Sequence, residues 1–480
     1  MHSNTCDQVI ISITLFLIVF APLSFGAVQG WALNVIGALV LLALSAWILK
    51  LAWLPHPGFA SPPFSVAALL FLFLVLLQLI PLPSSWLAFL SPASNAQLET
   101  HATPADPSRP LTDSPWLTVT LNPKATRRGF LTWLTGLAFC LTLLNNVLSW
   151  EKVRSVLITL IGVGSFEALY GLFEYWSGHQ HIFWYKKVYY LREVTGTYIN
   201  HNHFAGLLVL ILPLTIAVFS VECYRHLADG EATFLQKLRN LPGRVYLKLI
   251  CLLASVGSMS VGIVLSKSRG GLIALVVSLF VLASFFRKGR YRRVIQIACL
   301  VALLCGIVTT RFDPGLIDRF HWWSDEAQIR YNLWKDCAKI VRAFPIFGAG
   351  LGTFKEIIPR YRSQLDFVNV SDVPQGAFWY HAHNDYLQLL VECGFAGFLT
   401  IAWGMLITWR QLLSGLACSE DLEGATIGYG LLSGMIGLLL HSFVDFNFHI
   451  PANALLFCVC LSLCLIFARG KGPSSLLTKP

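Results

Sequence analysis

Residues 386–409 read YLQLLVECGFAGFLTIAWGMLITW. This run contains a single charged residue, Glu392, and is long enough to cross the hydrocarbon core of a bilayer as a helix. The whole chain is similarly apolar, since 55% of the 480 residues are hydrophobic and 12% are charged. One water-soluble domain could not bury that much apolar surface, so the sequence predicts an all-α, polytopic integral membrane protein.

Similar apolar runs recur from end to end and predict about twelve transmembrane helices. Each run is uncharged or nearly so. They lie at 9–28, 31–49, 64–82, 129–149, 153–176, 204–222, 247–265, 271–286, 294–310, 386–409, 425–442 and 452–468.

The predicted helices divide the chain into four parts. Residues 1–128 hold the N-terminal helices and a Pro/Ser-rich external loop, and residues 129–310 hold the central helices with external loops that carry His and Arg. Residues 311–385 are predicted to form one long external loop with short interfacial helices. Residues 386–480 hold the C-terminal helices.

Lysine and arginine concentrate in every second loop, which predicts the cytoplasmic side of the membrane. The basic segments are 237–248, 287–293, Lys152/Arg154, Arg410 and the tail residues Arg469/Lys471. We therefore expect both termini in the cytoplasm. Nearly all of the 12 cysteines lie within spans or at their ends, which agrees with a bacterial inner-membrane protein, and its active face is then expected in the periplasm. Because this topology explains most of the net charge of +10, no nucleic-acid partner is expected.

The external loops differ in character. Residues 83–128 are rich in Pro, Ser and Thr, have no hydrophobic period, and are predicted to form an irregular cover without chemistry. In the long loop, apolar residues at helical spacing predict a helix along the membrane surface, with Arg330 on its first turn and the glycine segment 348–352 at its end. Those residues are Ile329, Leu333, Trp334, Cys337, Ile340, Val341 and Phe344.

Three carboxyl groups, Glu167, Glu174 and Glu392, fall inside predicted spans. An ionisable group at membrane depth is costly and therefore suspected of function. The alternative is that each carboxyl group lies near the interface and pairs with a neighbouring helix.

His381 and His383 end the long loop next to the predicted membrane surface. A neutral histidine can take a proton from a hydroxyl group near neutral pH, and an arginine side chain matches phosphate oxygens with two parallel hydrogen bonds. Together they suit transfer of a group from a phosphate leaving group to an alcohol. The alternatives are that His383 only caps a helix and that the arginines anchor lipid phosphates.

His201 and His203 repeat the spacing of His381 and His383, which raises the hypothesis of a metal site shared by both pairs. Residues two apart on a helix point to different faces, and Asp385 is the one carboxylate close by in sequence. We therefore predict neither a metal nor another cofactor.

Several segments resemble the O-antigen ligase and O-antigen polymerase superfamily. His383-Asn384, then nine residues, then Gly394-x-x-Gly397 match the pattern typical of that family. Further similar segments are 202–206 (NHFAG), 268–271 (SRGG), 347–354 (FGAGLGTF) and 444–453 (VDFNFHIPAN). The resemblance extends over residues 125–468 of the chain.

The resemblance implies an inverting, metal-independent glycosyltransferase in which His383 is the base or orients the acceptor, while Arg269 and Arg330 hold a diphosphate. One departure is Ile273, which stands where some ligases carry the Leu of an Arg-x-x-x-Leu motif, and it weakens assignment to the lipopolysaccharide ligases. Further expected substrate contacts are Asn384, His203 and Asn202, with His381, Asp385, Asp445 and His449 in supporting roles.

The superfamily contains ligases that attach O-antigen to lipid A-core, polymerases that extend polyprenyl-linked repeats, and protein O-oligosaccharyltransferases. The expected partners are a polyprenyl-diphosphate-linked glycan donor, a glycan, lipid A-core or protein acceptor, membrane lipids and, for a polymerase, a chain-length regulator. A transporter or flippase for a lipid-linked or small substrate is the alternative from another class, because many spans and intramembrane carboxylates also describe carriers.

Overall fold

The computed structural model describes residues 2–53, 58–102, 116–227, 234–286, 291–310, 323–362 and 380–470. The predicted all-α, multi-pass class is confirmed, since helices dominate these ranges. The helices are α1 (His2–Leu23), α2 (Gly30–Trp53), α3 (Ser65–Leu79), α4 (Ser84–Leu90), α5 (Pro92–Ala102), α6 (Pro123–Asn146), α7 (Trp150–Ser177), α8 (His201–Leu227), α9 (Phe234–Arg239), α10 (Gly243–Leu265), α11 (Arg269–Phe285), α12 (Arg292–Thr310), α13 (Trp323–Ala343), α14 (Phe354–Tyr361), α15 (Asp385–Ala417), α16 (Leu422–His441) and α17 (Pro451–Ala468).

Two short antiparallel strand pairs accompany the helices. Strand β1 (Leu82–Pro83) pairs with β2 (Trp116–Leu117), and β3 (His181–Ile182) pairs with β4 (Tyr185–Lys186). Single 3-10 turns cover Phe25–Ala27 and Asn447–His449.

All twelve predicted spans coincide with helices, whereas the count of twelve membrane crossings stays a prediction. Within the described ranges, nine helices are long and apolar enough to cross a bilayer: α1, α2, α6, α7, α8, α10, α15, α16 and α17. The predicted spans at 64–82 and 271–286 are the shorter apolar helices α3, of 15 residues, and α11, of 17 residues. The span predicted at 294–310 is α12, which is not among the nine.

Helix α8 forms the centre of the bundle. It is apolar on all sides, and 89% of its central window is buried among the other helices, chiefly α16, α10, α11 and α7. Small residues let α16 approach it closely, because a Cβ on Gly434 would collide with the Leu210 carbonyl oxygen. Close backbone packing at small residues is a common source of helix association in membranes.

Several helices begin at residues that satisfy their first amide groups. The Asn122 side chain accepts hydrogen bonds from the amides of Lys124 and Ala125 in α6. Ser268 caps α11 and Asp421 caps α16 in the same way, through the amides of Gly271 and Gly424. These are side-chain types that favour a helix start.

The two ends of the bundle differ in chemistry. On α8, His201 lies at one end, while Glu222 and Arg225 lie at the other; Glu222 Oε1 is 2.6 Å from Lys248 Nζ, and Arg225 pairs with Glu423. Asp7, near the start of α1, pairs with Lys50 near the end of α2 and with Lys152 near the start of α7. The lysine and arginine ion pairs of α8 therefore lie at the end opposite to His201 and His203.

The loop 83–128 is more regular than expected, and the prediction of an irregular cover was wrong for its described part. It contains α4, α5 and the β1–β2 pair, while residues 103–115 lie outside the described residues. Leu87 is fully buried, and the Ser94 hydroxyl donates to the Val119 carbonyl oxygen at 2.8 Å. These contacts hold the helices in place although the sequence has no clear apolar period.

The helix predicted in the long loop is α13, but it starts earlier than expected. Arg330 therefore lies in its second turn, and the helix ends at Ala343, before the glycine segment. Its apolar side packs on α14 in a separate small core; the buried residues there include Leu333, Cys337, Ile340, Phe344, Phe354 and Ile357. Residues 311–322 and 363–379 of this loop, and 287–290 of the predicted basic run, lie outside the described residues.

Candidate functional site

The segment 380–384 is tied to three helices before it enters α15. The Asn384 side chain caps α15 by accepting from the Leu387 amide at 2.9 Å. The Trp334 indole of α13 donates to the Ala382 carbonyl oxygen at 2.9 Å, and the Asp385 amide donates to the Ser442 carbonyl oxygen at the end of α16. Between these ties His383 has φ +49°, a left-handed conformation that is rare for a residue with a side chain and that clusters at functional sites.

His383 and His203 both face the buried carboxylate of Asp445. His383 Nδ1 lies 3.9 Å from Asp445 Oδ1, and His203 Nε2 lies 3.7 Å from Asp445 Oδ2. Asp445 is 1% exposed. Burial favours the neutral acid, but His203, His441 and His383 together outweigh it and hold the pKa of Asp445 well below its usual range. The site thus contains a buried, charged carboxylate between two imidazole rings.

The Phe446 ring contacts three histidine rings of this cluster. It is stacked on His381, with ring centroids 4.2 Å apart, and it meets His383 and His203 edge-on at 4.9 and 4.6 Å. Packing on one rigid ring limits how far each imidazole can turn. Sequence reasoning did not single out Phe446, although it lies inside the family-like segment 444–453.

A second acid and histidine pair lies beside the first. Asp385 Oδ1 is 2.6 Å from His449 Nδ1, and Asp385 Oδ2 accepts from the Phe448 amide at 3.0 Å. Burial opposes protonation of His449, but its hydrogen bond and charge interaction with Asp385 raise its pKa. The pKa of His381 is lowered, first by burial and then by the neighbouring His449 and His383. The two rings therefore favour opposite protonation states.

Arg330 reaches the turn that precedes Asp445, and the residue after Arg269 packs on the same turn. Arg330 Nη1 donates to the Val444 carbonyl oxygen at 2.6 Å. Arg269 is the first residue of α11, and the next residue, Gly270, packs on the same turn. A Cβ on Gly270 would lie 2.7 Å from Val444 Cγ2 and 2.9 Å from the His441 ring, so glycine permits this approach.

Residues 201–203 contact different parts of the structure. His203 reaches Asp445, whereas His201 Nδ1 lies 2.5 Å from the Ser266 carbonyl oxygen at the end of α10. Asn202 lies in the first turn of α8, where its amide donates to Asn200. The carbonyl oxygen of His203 accepts from Asn453, whose side chain also bonds Asn447.

The structure therefore brings together most of the residues expected from sequence. His383, His203, His381, His449, Asp445 and Asp385 form one cluster with Phe446, and the elements that carry Arg330 and Arg269 meet at its edge. Within the described ranges, no group of three His, Cys, Asp or Glu side chains converges to hold a metal ion. An imidazole backed by a buried carboxylate can act as a general base.

Three further residues at the site were missed as site residues. His441, at the end of α16, is buried beside Asp445 and Gly270. Gln388 and Glu392, on the first turns of α15, bond each other and the segment that carries His383. Glu392 carried the signal of a carboxyl group at membrane depth, whereas for His441 and Gln388 the only sequence signal was that a polar residue interrupts an apolar run.

The family comparison covers the central part of the site. The model of the family described as O-antigen ligase matches residues 254–402, a range that contains Arg269, Arg330, the glycine segment and His383. Asp445, His449 and His203 lie outside that range. No curated protein matches the chain. The family match supports the resemblance found in the sequence: residues 254–402 of this membrane protein are similar to the O-antigen ligase family.

Proposed function

We propose that the protein is a metal-independent, inverting glycosyltransferase. It transfers a glycan from a polyprenyl-diphosphate donor to a hydroxyl group of an acceptor on the periplasmic face of the bacterial inner membrane. The acceptor is lipid A-core in a ligation or a growing polysaccharide in a polymerisation. The family match supports an enzyme of this type, and the histidine cluster supports the chemistry.

The observation that carries the proposal is the contact between His383 and Asp445. His383 Nδ1 faces the carboxylate at 3.9 Å, so Asp445 favours a proton on Nδ1 and leaves the Nε2 lone pair to act as the base. A charged carboxylate behind the ring also stabilises the imidazolium that forms when the base takes a proton. Asp445 is charged here because the surrounding histidines offset the cost of its burial.

The reaction is a single displacement. The acceptor oxygen forms a bond to the anomeric carbon of the donor glycan while the bond from that carbon to the phosphate oxygen breaks. His383 takes the hydroxyl proton, and the electron pair of the broken bond leaves with the polyprenyl diphosphate. Attack opposite the leaving group inverts the anomeric centre.

The arginines would stabilise the leaving group. Arg330 contacts the Val444 carbonyl oxygen through one guanidinium nitrogen, and its Nε is buried without a hydrogen-bond partner among the described residues. A donor group in that position can bind an oxygen of the diphosphate. Charge that develops on the leaving group is stabilised most strongly where water is excluded.

The proposed orientation is supported by the two ends of the bundle. The histidines and the starts of α11, α15 and α17 share one end, while the ion pairs of Glu222, Arg225 and Lys248 lie at the other end of α8 and α10. Basic residues at the second end agree with a cytoplasmic location for it.

The test is a gel analysis of lipopolysaccharide, lipid-linked glycan and secreted polysaccharide. Cells that lack the gene are complemented with wild type or with His383→Ala. We expect the variant to insert normally and to transfer no glycan; normal transfer by it would refute the assignment. Loss of capped lipopolysaccharide with lipid-linked polymer retained identifies a ligase, and collapse of polymer to single repeats identifies a polymerase. Unchanged glycans in all fractions would instead favour protein glycosylation or transport.

A further inference from the structure

Helix α15 is interrupted at Gly394, and the interruption joins it to the loop that follows α13. Gly394 has φ +60° and ψ −169°, values that a residue with a side chain rarely adopts. The Phe395 amide donates to the Pro345 carbonyl oxygen at 2.8 Å, and the Gly350 amide donates to the Glu392 carbonyl oxygen at 3.0 Å. Backbone groups released by the break are therefore satisfied by the loop 345–352, which we name the glycine loop.

The Glu392 side chain extends this link toward the histidines. Its Oε2 accepts from the Gly352 amide at 2.7 Å, and its Oε1 accepts from Gln388 Nε2 at 3.0 Å. Gln388 Oε1 in turn accepts from the Ala382 amide at 3.1 Å. Four residues thus form one continuous chain of hydrogen bonds from the glycine loop to the residue that precedes His383.

This chain of hydrogen bonds connects the part of the proposed site near Arg330 with the part near His383. The glycine loop follows α13, which carries Arg330, and Ala382 adjoins His383. Glu392 is 2% exposed, and within the described ranges no lysine or arginine forms an ion pair with it. Among its hydrogen bonds, those from Gly352 and Gln388 join the glycine loop to the side chain that holds the Ala382 amide. Burial of a carboxyl group has a high cost, which is typical of a group retained for a specific task.

From the opposite side, α3 holds the glycine loop in place. Gln78 Nε2 donates to the carbonyl oxygens of Phe347 and Glu392 at 2.6 and 2.9 Å, and Gln78 Oε1 accepts from the Leu351 amide. Gln78 therefore holds the glycine loop through contacts that do not involve the Glu392 side chain.

We propose that Glu392 and Gln388 are positioning residues that set the distance between His383 and the arginine-bearing helix α13. The inference rests on the proposed function, since it assumes that His383 takes the acceptor proton. Neither residue contacts the reacting atoms. Displacement of a base by about 1 Å can cost on the order of 100-fold in rate without weakening substrate binding.

Each hydrogen bond in this series has a defined donor and acceptor, so substitutions that exchange donor and acceptor test the series directly. In Glu392→Gln, the new amide can still accept from Gly352, but its NH₂ group faces the NH₂ group of Gln388, so the link between them is lost. In Gln388→Glu alone, two carboxylates face each other. The double variant Gln388→Glu/Glu392→Gln restores the chain with reversed polarity, since the carboxylate introduced at position 388 can accept from both the Ala382 amide and the new side-chain amide at position 392.

The variants are purified as full-length protein and assayed with lipid-linked glycan extracted from cells that lack the gene. We expect Glu392→Gln to lower kcat on the order of 100-fold with an unchanged KM for this donor, and the double variant to recover most of the loss. The matched control is Glu356→Gln in α14, which can keep its bond to Asn122 and should retain wild-type kcat. Gel filtration and thermal unfolding in detergent verify the fold.

Wild-type kcat in Glu392→Gln, or a double variant no better than Glu392→Gln, would overturn the inference. If Glu392→Gln does not fold, Gln388→Met replaces it, because it breaks the chain and leaves the bond from Gly352 to Glu392 intact; an unchanged kcat there has the same meaning. The proposed function fails separately, when His383→Ala remains active.

Discussion

Asp445 lies 3.9 Å from His383 and 3.7 Å from His203, so that one buried carboxylate serves two imidazole rings from different parts of the chain. His383 precedes α15, His203 lies in the first turn of α8, and Asp445 follows α16. The relationship depends on the packing of three helix ends.

Asp445→Asn should lower the rate of glycan transfer by about 100-fold or more. The amide keeps the size of the side chain but removes the negative charge that stabilises an imidazolium at His383. The measurement is single-turnover transfer from extracted lipid-linked glycan. Asp421→Asn, at the cap of α16 on the other end of that helix, is the control and should transfer normally.

Asp445 should also make the stability of the fold depend on pH. Its pKa in the fold lies below the ordinary value of 3.8, so the folded state binds fewer protons than the unfolded state. The stabilisation is therefore complete above about pH 4 and is lost as the pH falls through the lowered pKa. The thermal-unfolding midpoint in detergent should fall more for wild type than for Asp445→Asn between about pH 6 and pH 3. Equal slopes would contradict the pKa shift.

Phe446→Leu should reduce kcat by about 10-fold, because a ring contact contributes about 0.5–1.5 kcal/mol beyond its buried area and here orients His381, His383 and His203. Phe446→Tyr should keep more activity than Phe446→Leu. Phe448→Leu is the matched control, since that ring packs on Phe457. A loss of the same size in both leucine variants would show a general packing effect instead.

Arg330→Lys should raise the KM for the lipid-linked donor about 10-fold, because lysine keeps the charge but loses the planar fork that binds the Val444 carbonyl oxygen and that we propose to bind the diphosphate as well. Arg330→Gln should raise it further. Arg342→Gln lies on the same helix, α13, and should leave the KM unchanged. A donor KM that responds equally to both positions would argue against a specific site at Arg330.

Gly394→Ala should destabilise the protein by at least about 1–3 kcal/mol, the cost of holding a residue with a side chain in a disallowed backbone conformation. The new Cβ would also collide with the Ile346 carbonyl oxygen. The measurement is the thermal-unfolding midpoint and the yield of monodisperse protein. Gly136→Ala, a helical glycine with nothing within 4 Å of its Cβ position, is the control and should be neutral or stabilising.

The sequence predicted the helices better than it predicted the loops. Apolar runs are local, so all twelve coincide with helices, although nine meet the length and composition needed to cross a bilayer within the described ranges. The loop 83–128 has no apolar period, and its helices α4 and α5 were missed because burial of Leu87 and the hydrogen bond from Ser94 to Val119 depend on tertiary contacts.

The sequence suggested which residues to expect at the candidate site but not which of them contact each other. The family resemblance and their place on the external side brought His383, Asp445 and His449 to attention, and the roles assigned to them stay predictions. Asn384 caps α15 in the structure, a contact that its position before the helix made available. Phe446 and Gln388 carried no chemical pattern of their own, and the importance of Phe446 comes from contacts with residues distant in sequence. Glu392 was marked as a carboxyl group at membrane depth, but its hydrogen bond from Gly352 depends on the tertiary structure.

By itself, the sequence determined the membrane class, the helix positions and the similarity of residues 254–402 to the O-antigen ligase family, since each depends on residues close together along the chain. Only the tertiary structure decided that Asp385 pairs with His449 while Asp445 lies between His383 and His203. The physical reason is that these pairings form where the ends of α8, α15, α16 and α17 meet. That meeting is set by small residues such as Gly434 and by the break at Gly394, which spacing along the chain does not express.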